Sequence, residues 1–260
     1  MLERGITAIE ASGLTKRYRP DQPPAVDGLS FRVEAGEIYG LLGPNGSGKS
    51  TTVSILATLA RPTAGEARIL GHDVVREPMT VRRLIGVALQ DAGLDRAATG
   101  REILILHACL LGLPAVRAAE RADRLLKELD LADAAQRRVG TYSGGMRRRL
   151  DLAVAIVGDP AVVILDEPTT GLDVASREAL WARVLELRDR GAAILLTTQY
   201  LEEADRLADR VGILARGALR AEGPPGELKE RHGASSLDEV FFAVTGLPRP
   251  SRRELTAIEQ

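Results

Sequence analysis

Residues 43–51 read Gly43-Pro44-Asn45-Gly46-Ser47-Gly48-Lys49-Ser50-Thr51, a glycine-rich loop that ends in lysine, serine and threonine. The loop follows the apolar run Ile38-Tyr39-Gly40-Leu41-Leu42, typical of a buried strand, and precedes a charge-free segment, residues 50–60, with helical spacing. Glycine, four residues, glycine, lysine and serine or threonine, placed between a strand and a helix, is the pattern of a phosphate-binding P-loop. A chance glycine-rich turn is the alternative, and the flanking strand and helix argue against it.

The residue types of this loop match the parts of a nucleoside triphosphate. Glycines let successive backbone N–H groups curl around an anion, and the start of the following helix adds its positive end. Lys49 would place a positive charge on the β- and γ-phosphates, and Ser50 would offer its hydroxyl to Mg²⁺. We therefore expect residues 43–51 to bind ATP or GTP.

The composition excludes several classes of protein. The chain has 260 residues, 45% of them hydrophobic, and its 35 Lys and Arg nearly balance its 36 Asp and Glu, for a net charge of −1. A balanced charge argues against general binding to nucleic acid, which needs a strongly basic surface. We find neither the ~20 apolar residues that cross a bilayer nor a secretory signal, and we expect a cytoplasmic protein unless a partner holds it at a membrane. Cys109, the single cysteine, is expected to be a small buried residue.

Strand and helix signals interleave along the chain. The first 40 residues alternate apolar and polar positions, which predicts several strands, and residues 63–89 return to strand character. Residues 99–129 have helical spacing, with one stripe formed by Ile103, Leu106, Leu110 and Leu113. Between residues 161 and 214, buried-strand runs alternate with helices, as in a parallel α/β sheet. The predicted fold class is α/β, with a parallel-sheet core, a β-rich N-terminal part and an inserted helical subdomain.

A second motif consists of an apolar run that ends in two acids, Val162-Val163-Ile164-Leu165-Asp166-Glu167. A buried strand that ends in acids is typical of a Walker B segment. Because ligands gather at the carboxyl ends of parallel strands, Asp166 would lie beside the P-loop and hold Mg²⁺, directly or through water. Glu167 would accept a proton from the attacking water. A helix cap or a solvated turn is the alternative for such an acidic pair.

A third motif, Tyr142-Ser143-Gly144-Gly145-Met146, precedes a predicted helix at residues 144–157. Ser143 is a natural N-cap, and an ordinary cap and turn explain the motif locally. A hydroxyl and N–H groups at a helix start can also bind an anion. Two phosphate-binding helix ends in one chain suggest that two chains share each nucleotide. The predicted helix has an apolar face, and its other face carries Arg147, Arg148 and Asp151.

Together these motifs resemble the nucleotide-binding subunit of an ATP-binding cassette (ABC) transporter. The resemblance covers about residues 6–230 and includes an aromatic residue near the first strand, a glutamine after a strand and an acid before a helix: Tyr18, Gln90 and Asp173. It implies a P-loop NTPase cassette with an antiparallel N-terminal β part and a helical subdomain inserted at about 91–157. A C-terminal extension, residues 231–260, would end in a mobile tail.

The resemblance also implies a role for each of these residues. Tyr18 would stack on adenine, and ordinary packing is the alternative. Gln90 would bind Mg²⁺ and sense the attacking water, while its loop meets a membrane partner. The Ser143-Gly144-Gly145 motif would contact the γ-phosphate held by a second copy of the chain. Asp173 would help to join the two sites, or cap the helix that follows it.

The sequence departs from the family pattern at two places. The signature reads Tyr-Ser-Gly-Gly-Met in place of the commoner Leu-Ser-Gly-Gly-Gln, and Gln199 stands where the family has a switch histidine. By position, no histidine of the chain can take that role: His72, His107 and His232 lie elsewhere. A glutamine amide can donate a neutral hydrogen bond to a γ-phosphate oxygen, but it cannot carry a proton or a charge. We expect Gln199 to act at the catalytic site in this neutral form.

Two stretches, residues 197–205 and 236–246, are similar to the ATPases of daunorubicin-type antibiotic-resistance exporters. The resemblance implies a subunit that uses ATP and Mg²⁺, pairs with a second copy and powers a separate integral-membrane permease of the ABC-2 kind. Such a subunit would lie at the cytoplasmic face of the membrane, with no nucleic acid as partner. The second stretch contains Phe241 and Phe242, which we expect to pack the last helix onto the core.

Two other functions would also use a P-loop. An ABC-type ATPase that acts on nucleic acid or ribosomes usually needs a long coiled-coil insert, a second cassette or a basic arm, which we do not find in this sequence. A P-loop kinase or GTPase would have no role for the Ser-Gly-Gly helix start.

Overall fold

The structure is a computed structural model, and it describes residues 5–90 and 93–248. Within those residues it has ten strands and nine α-helices. The strands are β1 (Thr7–Lys16), β2 (Val26–Glu34), β3 (Ile38–Leu42), β4 (Ala64–Ile69), β5 (His72–Asp73), β6 (Ile85–Ala88), β7 (Val162–Asp166), β8 (Ala193–Thr198), β9 (Arg210–Ala215) and β10 (Ala218–Gly223). The helices are α1 (Lys49–Leu56), α2 (Pro78–Leu84), α3 (Gly100–Leu110), α4 (Ala115–Glu128), α5 (Gly144–Ile156), α6 (Val174–Asp189), α7 (Leu201–Leu207), α8 (Pro225–Arg231) and α9 (Leu237–Thr245).

The strands form two sheets. The N-terminal sheet is antiparallel and has the order β2-β1-β4-β5. The larger sheet has the order β10-β9-β3-β8-β7-β6 and is parallel except for β10, which pairs antiparallel with β9 at one edge. Its central strands β3, β7 and β8 are buried along their whole length, as is usual in a parallel sheet covered on both faces. The predicted α/β fold with an antiparallel N-terminal part is confirmed.

The parallel register brings three loops to one edge of the larger sheet. Leu42 at the end of β3 pairs with Thr198 at the end of β8, and Asp166 at the end of β7 pairs with Thr197. In open parallel sheets, ligands bind beyond the carboxyl ends of the strands. The loops after β3, β7 and β8 therefore meet where a ligand is expected.

The element bounds differ from the predicted ones in three places. Residues 63–89, predicted as strand, also contain α2, which begins at Pro78 because proline fits the first turn of a helix. The helical stretch 99–129 is divided into α3 and α4 by Gly112, which has φ 95°, and by Pro114 just before α4. Strand β10 and helix α8 were not predicted, because such short elements leave little hydrophobic periodicity.

Helix α3 buries a different face from the one predicted. The buried residues include Ile103, Leu104 and Ala108, which join a cluster with residues of α4 and α5. Leu106 and Leu110 of the predicted stripe are 57% and 74% exposed. Cys109 is exposed as well, so the prediction that it is buried is wrong. The helix has apolar residues on nearly every side, and packing against α4 and α5 selects which of them are covered.

The last helix, α9, packs beside the larger sheet. Phe241 is buried and Phe242 partly buried in a cluster that includes Leu42 and Val211, which confirms their predicted packing role. The predicted mobile tail falls largely on residues 249–260, which lie outside the described residues. The division into domains at 6–230 and 231–260 stays a prediction. Among the described residues, none of the helices is long and apolar enough to cross a membrane.

Candidate nucleotide-binding and catalytic site

The P-loop turns between β3 and α1, and close contacts require two of its glycines. A Cβ on Gly43 would lie 2.4 Å from the carbonyl oxygen of Leu214. Gly48 has φ 111°, and a Cβ there would lie 2.4 Å from the carbonyl oxygen of Ala25. Both positions exclude any larger residue. The first turn of α1 presents its N–H groups to this loop, which is the arrangement that binds phosphate.

Lys49 is the cation of the loop. Its side chain is only 4% exposed; its ammonium donates to the Gly43 carbonyl at 2.7 Å and lies 3.6 Å from Glu167 Oε1. Burial lowers the pKa of Lys49, and the negative charges of Glu167 and Asp166 oppose that shift. The P-loop therefore holds a partly desolvated positive charge opposite the acids at the end of β7.

Glu167, directly after β7, has a backbone conformation that is rare for a residue with a side chain. Its φ is 49°, in the left-handed region, and its N–H donates to the Thr197 carbonyl at 3.0 Å. The Thr197 hydroxyl donates to Asp166 Oδ1, so one threonine of β8 contacts both acids. Such strain is typical of functional sites, where the surrounding structure holds an unfavourable backbone in place.

One pocket of about 400 Å³ brings the P-loop, Gln90 and Glu167 together. Gln90 Nε2 donates to Glu167 Oε2 at 3.4 Å, across the pocket from Lys49. The pocket is lined by Ala25, Asn45, Gly46, Gly48, Lys49, Ser50, Thr51, Gln90 and Glu167. Residues that are distant in the sequence therefore face one cavity, which carries a cation, a carboxylate and an amide.

Tyr18 and Gln199 are among the predicted site residues that lie outside the lining of this pocket. Tyr18 is 62% exposed, with the Lys16 ammonium 5.0 Å from its ring centroid. Gln199 is exposed in the turn between β8 and α7, one residue after the buried Thr198. Both side chains are exposed, and no hydrogen bond joins either of them to Glu167, so their predicted roles stay predictions.

The Ser143-Gly144-Gly145 motif faces a different part of the surface. Ser143 caps α5 by accepting from the Met146 N–H at 3.2 Å, and Ser143 and Gly144 are exposed. A Cβ on Gly145 would lie 2.8 Å from Ser176 Oγ of α6, so this glycine allows the two helices to approach. The motif does not line the P-loop pocket; Gly144 instead lines a second cavity, which shares Gln90 with that pocket.

Asp173 is the N-cap of α6. It accepts from the Ser176 N–H at 2.8 Å and from the Ser176 hydroxyl at 2.9 Å, and the backbone hydrogen bond lowers the pKa of Asp173. The capping role that was the alternative for Asp173 is therefore present in the structure. Its predicted role in joining the two nucleotide sites stays a prediction.

Sequence reasoning missed two residues of the site. Thr197 contacts both acids of β7, and nothing in the local sequence marks it. Arg148 donates to the carbonyl oxygens of Leu89 and Glu167, at 2.9 and 3.0 Å. The face of α5 that carries charged residues is covered at this point: the Arg148 side chain is 12% and that of Asp151 9% exposed.

The side chains at this site suit a Mg²⁺ ion that is held jointly by the protein and by substrate phosphates, and not one that is held by protein side chains alone. Within the described ranges, no group of three or more His, Cys, Asp or Glu side chains could hold a metal ion. Mg²⁺ usually takes one or two carboxylates and the substrate's phosphates, and it prefers oxygen ligands. The Ser50 hydroxyl, the Gln90 amide oxygen and the Asp166 carboxylate are ligands of that kind.

Comparison with known proteins decides the family. The model of the ABC transporter family matches residues 26–170. The chain belongs to the ABC transporter family. This ABC ATPase is 54% identical over 230 residues to the daunorubicin/doxorubicin resistance ATP-binding protein DrrA of Streptomyces peucetius, covering 88% of this chain and 69% of that relative.

Solved structures support the same assignment. This ABC ATPase superimposes on the structure of an ATP binding subunit of an ABC transporter with a TM-score of 0.84 and 32% identity, over 92% of this chain and 100% of that one. It also resembles the dimeric, post-hydrolysis state of the cassette MJ0796 bound to ADP and phosphate, with a TM-score of 0.77 and 25% identity, over 83% and 98% of the two chains. The chain is an ATP-binding ATPase subunit whose hydrolysis is coupled to transport.

Proposed function

We propose that this chain powers an exporter of drug-like or antibiotic compounds through a separate integral-membrane permease, to which it binds at the cytoplasmic face. The observation that carries the proposal is the pocket that joins Lys49, Gln90 and Glu167. Helix α5, which begins at the Ser143-Gly144-Gly145 motif and which we call the signature helix, does not line this pocket. The substrate class rests on the similarity to a protein named for daunorubicin and doxorubicin resistance.

In this proposal residues 43–51 bind the phosphates of ATP, and Lys49 neutralises the β- and γ-phosphates. Ser50, Gln90 and Asp166 would hold Mg²⁺, which when bound would offset the negative charge of the phosphates. Tyr18 stacks on the adenine ring. The Thr197 hydroxyl orients Asp166, since it donates directly to that carboxylate.

Glu167 accepts the proton of the attacking water in this proposal. Its contacts with Lys49 and Gln90 hold the carboxylate in the lining of the P-loop pocket, where it could accept a proton from a water beside the γ-phosphate. Gln199 donates a neutral hydrogen bond to a γ-phosphate oxygen. Its exposed position after β8 allows that contact once a nucleotide and a second chain enclose the pocket.

A second copy of the chain completes each site. The Ser143-Gly144-Gly145 motif of one copy contacts the γ-phosphate in the P-loop of the other, and Asp173 lies beside the contact between the two sites. The exposure of Ser143 and Gly144 at the start of α5 supports this arrangement. The dimeric state of a cassette with the same fold supports it as well.

The permease docks in a groove of about 370 Å³ beside α3, which we call the α3 groove. Its lining is mainly apolar, includes the exposed Leu106, and has Asp151 among its polar residues. An exposed apolar groove is typical of a protein–protein contact. Gly93, Leu94 and Asp95, which lie a few residues after Gln90 in the sequence, line the groove, so a docked segment would lie close in the chain to a residue of the catalytic pocket.

Purification of the tagged chain from membranes tests this function. We expect an integral-membrane protein to co-purify, and Leu106→Asp to reduce the amount recovered. Leu59→Asp, a change at an equally exposed leucine after α1, should not reduce it. Ribosomes or DNA in place of a membrane protein would contradict transport and favour the alternative of an ATPase that acts on nucleic acid.

A further inference from the structure

Arg148 connects three segments that are distant in the sequence. Its Nη1 donates to the Leu89 carbonyl, one residue before Gln90, at 2.9 Å. Its Nη2 donates to the carbonyl of Glu167 at 3.0 Å. Nη1 also lies 3.5 Å from Asp151 Oδ2, one turn along α5. A planar guanidinium presents five N–H donors in a fixed fork, so it can hold several acceptors at once.

One of the two carbonyls that Arg148 contacts belongs to Glu167, the strained residue of the site. Glu167 has positive φ, and such a backbone persists only where its surroundings fix it. The N–H of Glu167 is held by Thr197 on β8, while its carbonyl is held by Arg148 on α5. The backbone conformation of Glu167 therefore depends on the position of the signature helix as well as on the sheet.

The third contact leads to the α3 groove. Asp151 is 6% exposed as a residue and lines that groove. It faces Arg148 from the same helix, and burial raises its pKa to about 6 while Arg148 opposes the shift. A group that enters the groove would change the environment of Asp151, and hence the charge that Arg148 faces.

We propose that Arg148 is a positioning residue that ties α5 to the backbone of Glu167 and to Leu89, directly before Gln90. In the same proposal Asp151, which lines the α3 groove, transmits the binding of a partner in that groove to Arg148. This inference rests on the proposed role of Glu167. It adds the residue that connects the α3 groove to Glu167, a single guanidinium whose hydrogen bonds are charge-assisted.

The first test measures steady-state hydrolysis of MgATP by the purified full chain. Arg148→Met should lower kcat at least about tenfold, as expected for the loss of hydrogen bonds from a charged donor, with KM for MgATP within about twofold. Arg148→Lys should retain part of the activity, because an ammonium keeps the charge and can reach one carbonyl. If Arg148→Met does not fold, a loss of about threefold or more in folded Arg148→Lys carries the test.

Arg149→Met is the matched control. Arg149 is adjacent on α5, but it donates to the Leu129 carbonyl and pairs with Asp130, away from the pocket. Its kcat should stay near the wild-type value. A kcat near the wild-type value in both Arg148 variants, or equal losses in Arg148→Met and Arg149→Met, would overturn the proposal.

The second test does not need activity. Hydrogen exchange of the backbone at residues 165–172 should be faster in Arg148→Met than in Arg149→Met, and unchanged protection in both would overturn the link to Glu167. Asp151→Asn should lower kcat in the wild-type background and have no further effect in Arg148→Met. If the two substitutions lower kcat additively in the double variant, Asp151 does not act through Arg148. If the wild-type chain does not hydrolyse MgATP, the proposed function fails, whereas the exchange result still reports on Arg148.

Discussion

Glu167 combines a left-handed backbone with two polar contacts, to Lys49 and to Gln90. Glutamine at this position keeps the size of the side chain and removes its basicity. We expect Glu167→Gln to bind MgATP, to hydrolyse it more than ~100-fold more slowly, and to accumulate as a closed dimer on gel filtration. Glu202→Gln, the same change at an exposed position, is the control. Brisk steady-state hydrolysis by Glu167→Gln would rule out Glu167 as the base.

Because the Gln199 amide cannot titrate, we expect no pH dependence of the activity to arise from this residue. Between pH 6 and 8, kcat should show no step assignable to residue 199, because an amide has no proton to gain there. Gln199→His should introduce a step near ~6.5, the ordinary pKa of histidine, in a pH–rate profile. A step near that pH in the wild type that disappears in Gln199→Ala would contradict the neutral role.

The residues that could be predicted are those whose chemistry is local. The P-loop and the acids of β7 follow directly after buried strands, and a parallel sheet places such positions at one edge. Thr197 and Arg148 could not be predicted. Their partners lie far along the chain, and threonine in a strand or arginine in a helix is ordinary at the level of sequence.

Helix α5 shows why an amphipathic pattern can mislead at the scale of an element. Leu150 and Ala153 pack in the helical subdomain, as predicted, but the face with Arg148 and Asp151 is covered as well. The end of β7 and the residue before Gln90 supply the carbonyls on that side. The Asp151 side chain is therefore buried and that of Arg148 mostly covered, because the helix lies between two parts of the molecule.

This burial makes stability depend on pH at Asp151. Burial raises the pKa of Asp151 from its ordinary value of 3.8 to about 6. The folded state binds the proton more tightly than the unfolded state, so this contribution is full below pH ~4 and is lost as pH rises through ~6. The free energy of unfolding of the wild type, relative to Asp151→Asn, should fall by about 2 kcal/mol between pH ~4.5 and ~7.

Urea unfolding of both proteins across that range measures the difference. Asp133→Asn, a change at an exposed aspartate, is the control and should give a difference that is flat with pH. A difference that is equally flat for Asp151→Asn would show that the carboxyl titrates as it does in the unfolded chain.

Helices α6 and α7 meet at a buried polar contact. Trp181, the single tryptophan, donates from Nε1 to Glu203 at 2.8 Å, and Glu203 is fully buried. Burial raises the pKa of Glu203, and the Thr198, Trp181 and Thr169 side chains oppose the shift. This contact secures the turn that carries Gln199, since α7 begins two residues after it.

Trp181→Phe should lower the free energy of unfolding by about 1–3 kcal/mol, because it leaves a buried acceptor without its donor. Circular dichroism during urea unfolding measures the loss. The same change in a Glu203→Met background should cost less, since no carboxylate is left unpaired. Equal costs in the two backgrounds would assign the effect to packing of the ring alone.

At the scale of the molecule, the separation of the two phosphate-binding helix starts decides how many chains one reaction needs. The P-loop pocket contains Lys49 and Glu167, whereas Gly144 lines a second cavity with Arg147 and Leu172. Gln90 lines both cavities, but no residue of the Ser143-Gly144-Gly145 motif lines the P-loop pocket. A closed symmetric pair would place each motif opposite the other chain's P-loop, so every site takes one motif from each copy.

Complementation between two inactive variants tests this geometry. Lys49→Met and Ser143→Arg should each abolish hydrolysis, since a dimer of either variant has one defect in both sites. In the mixed dimer both defects fall in one site, and the other site combines an intact P-loop with an intact signature motif. A mixture in equal amounts should recover about a quarter of the wild-type rate if the chains pair at random and the sites act independently. Wild-type activity of Ser143→Arg alone would contradict a shared site, because a chain that hydrolyses without its signature motif needs nothing from its partner.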